Sequence, residues 1–240
     1  MAAVRLHLQP GLLVATILGS LATCAAAGAV SPARQVAAIM EAGQSQRSVH
    51  YVVSWTNAGK EWPDIVGDAD VSMGAQYITW HKGGHVGHVT VIANATAAYV
   101  RGDAFALASY MLFPAAGASK YANRWIVIPK GASGYPTVSA GVRLKPAINA
   151  LKPTGTLARV PNTVYGGQKV LGVQGKSSAG GKTSLVETLY GRAAGAPLPV
   201  AVVGTRGKSR FTVILSRWNE RVRVAPPTKA TPVSVVVATH

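Results

Sequence analysis

Four groupings of side chains in this sequence have types and spacings that chemistry could use. The first is acidic: Glu61, Asp64, Asp68 and Asp70 bring half of the chain's 8 Asp and Glu residues into one short stretch. Paired carboxylates can hydrolyse glycosides, and oxygen-rich clusters hold calcium. The plainer reading is an exposed hairpin whose acids balance a basic surface. The second grouping is His81, His85 and His88, with His50 upstream. Imidazoles at such spacing suit zinc or copper. On a strand, however, His85 and His88 face opposite sides, and no cysteine follows Cys24 to complete a site. The third, Gly175–Thr183, reads GKSSAGGKT but puts Lys176 where a phosphate-cradling loop requires its first glycine. Residues Ser184–Gly191 after it look like a strand rather than a helix, so a hairpin loop is expected. The fourth is five tryptophans, Trp55, Trp62, Trp80, Trp125 and Trp218, which could stack bases if interleaved with cations. Ser109 and Ser133 lack the glycine frame of a nucleophile elbow. No catalytic residue, metal or cofactor is implied, and the expectation is a protein that is not an enzyme.

The elements that would hold these residues are suggested by composition. With 240 residues, 48% hydrophobic and 13% charged, the chain can bury a core, which excludes wholesale disorder. The 26 glycines and 14 prolines favour short strands and many turns. A formal net charge of +16 attracts anionic surfaces without choosing among lipid headgroups, cell-wall polyanions and nucleic acid. The bases are scattered, which weakens the nucleic-acid option.

The first thirty residues have the pattern of an export signal. Arg5 and the amino terminus supply a positive start, GLLVATILGSLA (residues 11–22) an apolar run, and Thr23–Gly28 small residues. The run is shorter than the ~20 residues a spanning helix needs. Two cleavage routes stay open. Ala25-x-Ala27 suits ordinary signal peptidase. Leu21-Ala22-Thr23-Cys24 resembles a bacterial lipobox, with Thr23 where Gly, Ala or Ser is usual, and would make Cys24 a lipidated N-terminus. An exported protein, either secreted or held at the outer face of the cell membrane, makes nucleic acid an unexpected partner.

Along the remaining chain, Ser31-Pro32 caps an expected helix with Val36, Ile39 and Met40 on one face. Strands are expected over 47–56, 65–73, 76–81, 85–93 and 96–101, with Lys82-Gly83-Gly84 as a hairpin turn. Short helices follow over 103–112 and 118–123, a strand over 125–128, and a helix near the end of 142–151, interrupted by Pro146. Strands return over 163–172, 184–191, 199–204, 210–217 and 221–225. Close spacing without long helices predicts antiparallel pairing. Residues 1–30 read as leader, 31–227 as one β-rich domain and 228–240 as a loose tail. The fold class is α+β: a strongly curved antiparallel sheet with a few helices inserted mid-chain.

Three stretches together carry a family resemblance: Ala98-Tyr99-Val100-Arg101-Gly102, then Tyr121–Val127, then Pro197–Val200 leading to Phe211-Thr212-Val213 and Ser216–Glu220. Their order resembles actinobacterial envelope lipoproteins of the LppX/LprG type, which share the fold of the LolA/LolB lipoprotein carriers. The resemblance spans residues 31–227. It implies a half-open antiparallel barrel whose concave side, closed by helices, holds acyl chains of a lipid, glycolipid or lipoprotein. It supplies no polar motif. The cavity candidates it implies are Val53, Trp55, Ile78, Trp80, Val89, Val91, Leu107, Tyr110, Met111 and Leu112, each of which could equally be ordinary core.

The expected function is therefore non-catalytic binding or transfer of an amphipathic lipid by a monomer, with the basic surface held near an anionic membrane. One alternative is a basic protein that grips anionic cell-wall polymer and has a filled core. Another is a secreted hydrolase using the acids between Asp64 and Asp70.

Overall fold

The computed structural model describes residues 30–57, 59–179 and 183–239. The leader with Cys24, and residues 180–182 of the glycine-rich loop, lie outside the described residues. From Ser31 onward the chain forms one unit built on a single open sheet of 12 strands with six short α-helices.

Helix α1 (Pro32–Gln44) begins at Ser31, whose hydroxyl accepts from the Arg34 amide at 3.3 Å, and it buries Val36, Ile39, Met40 and Gly43. Strands β1 (Ser48–Thr56), β2 (Glu61–Asp70), β3 (Gly74–Lys82), β4 (His85–Ala93), β5 (Ala97–Gly102) and β6 (Ile126–Pro129) form an antiparallel meander from the middle of the sheet towards one edge. Two helices, α2 (Ala104–Ser109) and α3 (Ala115–Lys120), separate β5 from β6. The chain then crosses to the opposite edge. There β7 (Thr156–Tyr165), β8 (Gln168–Ala179), β9 (Thr183–Arg192), β10 (Pro199–Arg206) and β11 (Ser209–Ser216) meander back until β11 pairs with β1.

This order explains the cover. A chain leaving β6 for β7 must traverse the whole sheet, and it does so as α4 (Tyr135–Ser139), a 3-10 turn (Ala140–Val142) and α5 (Leu144–Asn149). Their apolar side chains land on the concave face. Val142 and Tyr135 join one core cluster with Val89, Val91 and Leu107; Leu144 and Ile148 join another with Val49, Val213 and Leu215. Ile65 packs against both.

A second crossing runs over the other face. After β11, residues 217–230 pass along the convex side, where the Asn219 amide donates to the Ser48 carbonyl and the Ser48 hydroxyl donates to the Glu220 carbonyl. The strand expected over 221–225 is absent, because these residues have no free edge beside them and hold on through such bonds. The tail expected to be loose is docked. Strand β12 (Thr231–Pro232) pairs parallel with β6, and α6 (Val233–Val237) places Val236, 0% exposed, in the first cluster.

Two further expectations are corrected. The single strand over 163–172 is a hairpin, turned at Gly166 and Gly167, both at positive φ. Strand β2 begins four residues early, at Glu61, and Pro63 lies beyond the end of its ladder with β1, which stops at the Val53–Ile65 pair.

A docked tail has a measurable consequence. Val236→Ala should lower the unfolding free energy by about 1.5–3 kcal/mol in urea titrations. Val235→Ala, at a position 45% exposed, should stay within about 0.5 kcal/mol of the parent.

Candidate functional site

The strand period puts Val49, Tyr51 and Val53 of β1 on the concave face, and the register sets Leu215 opposite Tyr51 and Val213 opposite Val53. Above them lie the 3-10 turn and α5. Leu144 and Ile148 of this segment are buried, but Ala147 and Ala150 present little more than a methyl to the valines below. Small residues in the cover leave a gap, an apolar cavity of about 210 Å³ between β1 and β11 below and Ala140–Leu151 above. Polar groups are almost excluded from its wall.

The exception is Tyr51. Its hydroxyl lies 2.9 Å from Gln76 Oε1 on β3 and 2.9 Å from the Gly141 carbonyl oxygen in the cover. The ring reaches there by lying across Gly67: a Cβ at that position would sit 2.3 Å from the ring. A Cβ on Gly141 would likewise meet Gln76 Oε1 at 2.2 Å. One phenol, admitted by two glycines, thus ties the sheet to its cover beside the cavity. Burial drives the Tyr51 pKa far above its ordinary value, and the nearby Tyr110 phenol and Asp68 carboxylate add to the push. Burial alone raises Tyr110.

Of the residues singled out in the sequence, Val53 lines this cavity. Ile78, Val89, Val91 and Leu107 stand together in the neighbouring core cluster, with Tyr110 and Met111 packed against it. Trp80 is buried, packs at a tilt against Tyr110 with ring centroids 5.0 Å apart and donates from Nε1 to Ser109 Oγ at 3.0 Å. Trp55 packs on Phe211 at 5.2 Å, and its buried indole nitrogen has no hydrogen-bond partner among the described residues. Leu112 is 81% exposed at φ 59°. The lipidation candidate Cys24 lies outside the described residues. Sequence reasoning missed Tyr51, Val213, Leu215, Ala147 and Leu151. The alternation through Val49, Tyr51 and Val53 is a signal that could have found this face, but nothing local marks where the cover leaves space.

The acids and histidines are drawn into pairs rather than into one site. Asp68 accepts from or bonds to His50 Nδ1 at 2.8 Å, Asp64 lies 3.1 Å from His81 Nε2, and Glu61 pairs with Lys82 at 3.0 Å. Asp70 accepts from the Ser72 amide and hydroxyl in a tight turn. Among the described residues no group of three or more His, Cys, Asp or Glu could hold a metal ion. Gly175–Ala179 belongs to β8 and Thr183 opens β9, so the glycine-rich stretch joins two strands. Glu187, a concave-face position paired with Gly204 and Gly175, has its carboxyl pKa raised by burial against the opposing pull of Arg206 and a backbone hydrogen bond at Thr154.

This architecture has counterparts among solved structures. LprF from Mycobacterium bovis matches with a TM-score of 0.54 at 14% identity, over 82% of this chain and 96% of that one. The fold is of the LppX/LprG type. The Mycobacterium tuberculosis lipoprotein LppX matches with a TM-score of 0.51 at 15% identity, over 81% of this chain and 98% of that one. No family model and no curated sequence matches the chain. The open half-barrel with helical cover, implied by the sequence resemblance, is the architecture present, and the folds of LprF and LppX are its counterparts.

The Tyr51 bridge yields a pH-dependent test. A phenol whose folded pKa is raised stabilises the fold fully below its unfolded value of about 10, and that contribution is lost as pH climbs towards the folded value. Tyr51→Phe should cost about 1–3 kcal/mol at neutral pH by leaving buried acceptors unmatched. It should also flatten the alkaline fall in stability, as read by urea titrations at pH 8 to 11.

Proposed function

We propose that this is an exported, non-catalytic protein that takes an acyl chain of a lipid or glycolipid between β1, β11 and α5. The observation that carries the reading is the apolar cavity under a cover made of short segments. At about 210 Å³ it is smaller than the roughly 300–1,000 Å³ that encloses a drug-sized ligand. A long acyl chain therefore requires the cover to lift. Helix α5 has only six residues, and lifting it breaks the 2.6 Å bond from Gln44 Nε2 to Asn149 Oδ1 and withdraws Leu144 and Ile148 from the second core cluster. As it moves, the space extends past Ile65 towards Ile78, Trp80, Val89, Val91, Leu107, Tyr110 and Met111. The acyl chain then exchanges without its methylenes crossing water, each worth about 0.8 kcal/mol.

Residues 1–30 would direct export, and acylation of Cys24 would anchor the chain at the outer face of the membrane. The likeness in fold to LppX, described as a lipoprotein, accords with such an anchor. The acyl chains on Cys24 would hold the chain at the bilayer, and its excess of Lys and Arg would add attraction to anionic headgroups. The rival reading, a filled core beneath a polymer-gripping basic surface, is less favoured because the cavity lies where it requires packed side chains.

The test is native mass spectrometry of the full chain carrying Cys24→Ala, purified from a bacterial host and washed in high salt, which strips polyanions from the surface. Diacyl or triacyl lipid should remain bound. Ala147→Trp, which fills the cavity from its cover, should reduce retained lipid at least about tenfold while costing no more than about 1–3 kcal/mol of stability. A lipid-free mass that stays unchanged after incubation with lipid would refute the carrier function.

A further inference from the structure

Antiparallel register gathers the β1–β2, β3–β4 and β10–β11 turns at one end of the half-barrel. Gly59, Gly83 and Gly84 have no atom within 4 Å of where a Cβ would stand, so the first two turns project into solvent. Around these turns Lys60, Arg206, Lys208 and Arg210 are exposed. The acids nearby are already engaged, Glu61 by Lys82 and Asp64 by His81. Apolar groups interleave with the cations. Trp62 stacks on His81 at 4.6 Å, and Val86, paired with His81 in the next strand, is 54% exposed. Exposed His85 lies against Phe105 at 5.4 Å. Trp55, whose indole nitrogen has no hydrogen-bond partner among the described residues, and Phe211 fill the concave side of the same end.

We propose that this hairpin end is the docking rim for an anionic bilayer surface. The proposal rests on the lipid-binding reading above and names where the protein meets its lipid source. Two features together select this partner. Indoles are amphipathic and settle at the headgroup level of a bilayer. Lysines and arginines beside them meet the negative surface potential of anionic lipids, each contributing about a fivefold gain in affinity, the equivalent of about 1 kcal/mol. A nucleic acid or wall polymer would use the cations but gain little from Val86. Docked this way, the protein presents the aromatic end of its concave face to the bilayer, while the α5 cover and the convex crossing stay in water.

The test is co-sedimentation of the full chain carrying Cys24→Ala, so that no acyl anchor contributes. Vesicles of equal phosphatidylglycerol and phosphatidylcholine are compared with vesicles of phosphatidylcholine alone, at low ionic strength. Binding should require the anionic lipid. Lys60→Gln with Lys208→Gln should weaken it about 25-fold, two steps of about fivefold. Lys130→Gln with Lys145→Gln, exposed cations in the cleft at the other end, should change it less than twofold. A blue shift of tryptophan emission on binding should shrink in Trp62→Phe. Equal binding to both vesicle types, or equal weakening by the two lysine pairs, would overturn the rim. The carrier function fails separately: a chain that docks through these lysines yet retains no lipid in native mass spectrometry keeps the rim and loses the cavity's role.

Discussion

An antiparallel sheet that does not close has one concave apolar face, and that face must be covered by something other than another sheet. The remaining features of this protein follow from that constraint. The cover is supplied by the chain's need to travel from β6 at one edge to β7 at the other, and it is made of short pieces because a crossing loop must bend with the sheet. Short pieces pack well where they carry Leu144, Ile148 and Val142 and poorly where they carry alanine. The cavity is the place where that compromise is least complete.

Tyr51 sits where the constraint is most exacting. It is 8% exposed, and its hydroxyl joins β3 to the 3-10 turn through Gln76 and Gly141. In an apolar interior, a hydrogen bond fixes position more sharply than further methyl groups would. The bridge holds one end of the cover in place, while α5 is held by Leu144 and Ile148 in the second core cluster and by a side-chain bond from Gln44 of α1 to Asn149. The aromatic and cationic hairpin end lies along the same strands, so the sheet that shapes the cavity also positions the surface that would face lipid.

How much of this was legible in the sequence depended on whether the signal was local. Residues 85–93 emerged as a strand with the same bounds because Lys82-Gly83-Gly84 fixes its start and alternation fixes its faces. Asp103 and Ser31 marked helix starts through capping, which is also local. The pair Gly166-Gly167 was read through as strand, though both residues take the positive φ of a turn. The tail after Pro227 carried no periodicity, and its docking depends on Val236 meeting a cluster whose other buried residues lie between Ile78 and Val142, far earlier in the chain. The cavity has the same character. The family resemblance offered Val53, Ile78, Val89 and Val91 as cavity candidates, and Val53 lines the cavity while the other three stand in the neighbouring core cluster. Which part of the concave face lies beneath alanines of α5 is a fact of register and crossing path, and no window of sequence contains it.

The central claim is that an acyl chain occupies the space between the floor at Val53 and Val213 and the cover at Ala147. The most direct measurement is a crystal structure of the chain grown with a phospholipid brominated along one acyl chain, read by anomalous scattering. The account predicts bromine peaks between β1, β11 and α5, with α5 displaced outward from the sheet. Bromine on the convex face, or confined to the hairpin turns while the cavity keeps its size, would contradict it.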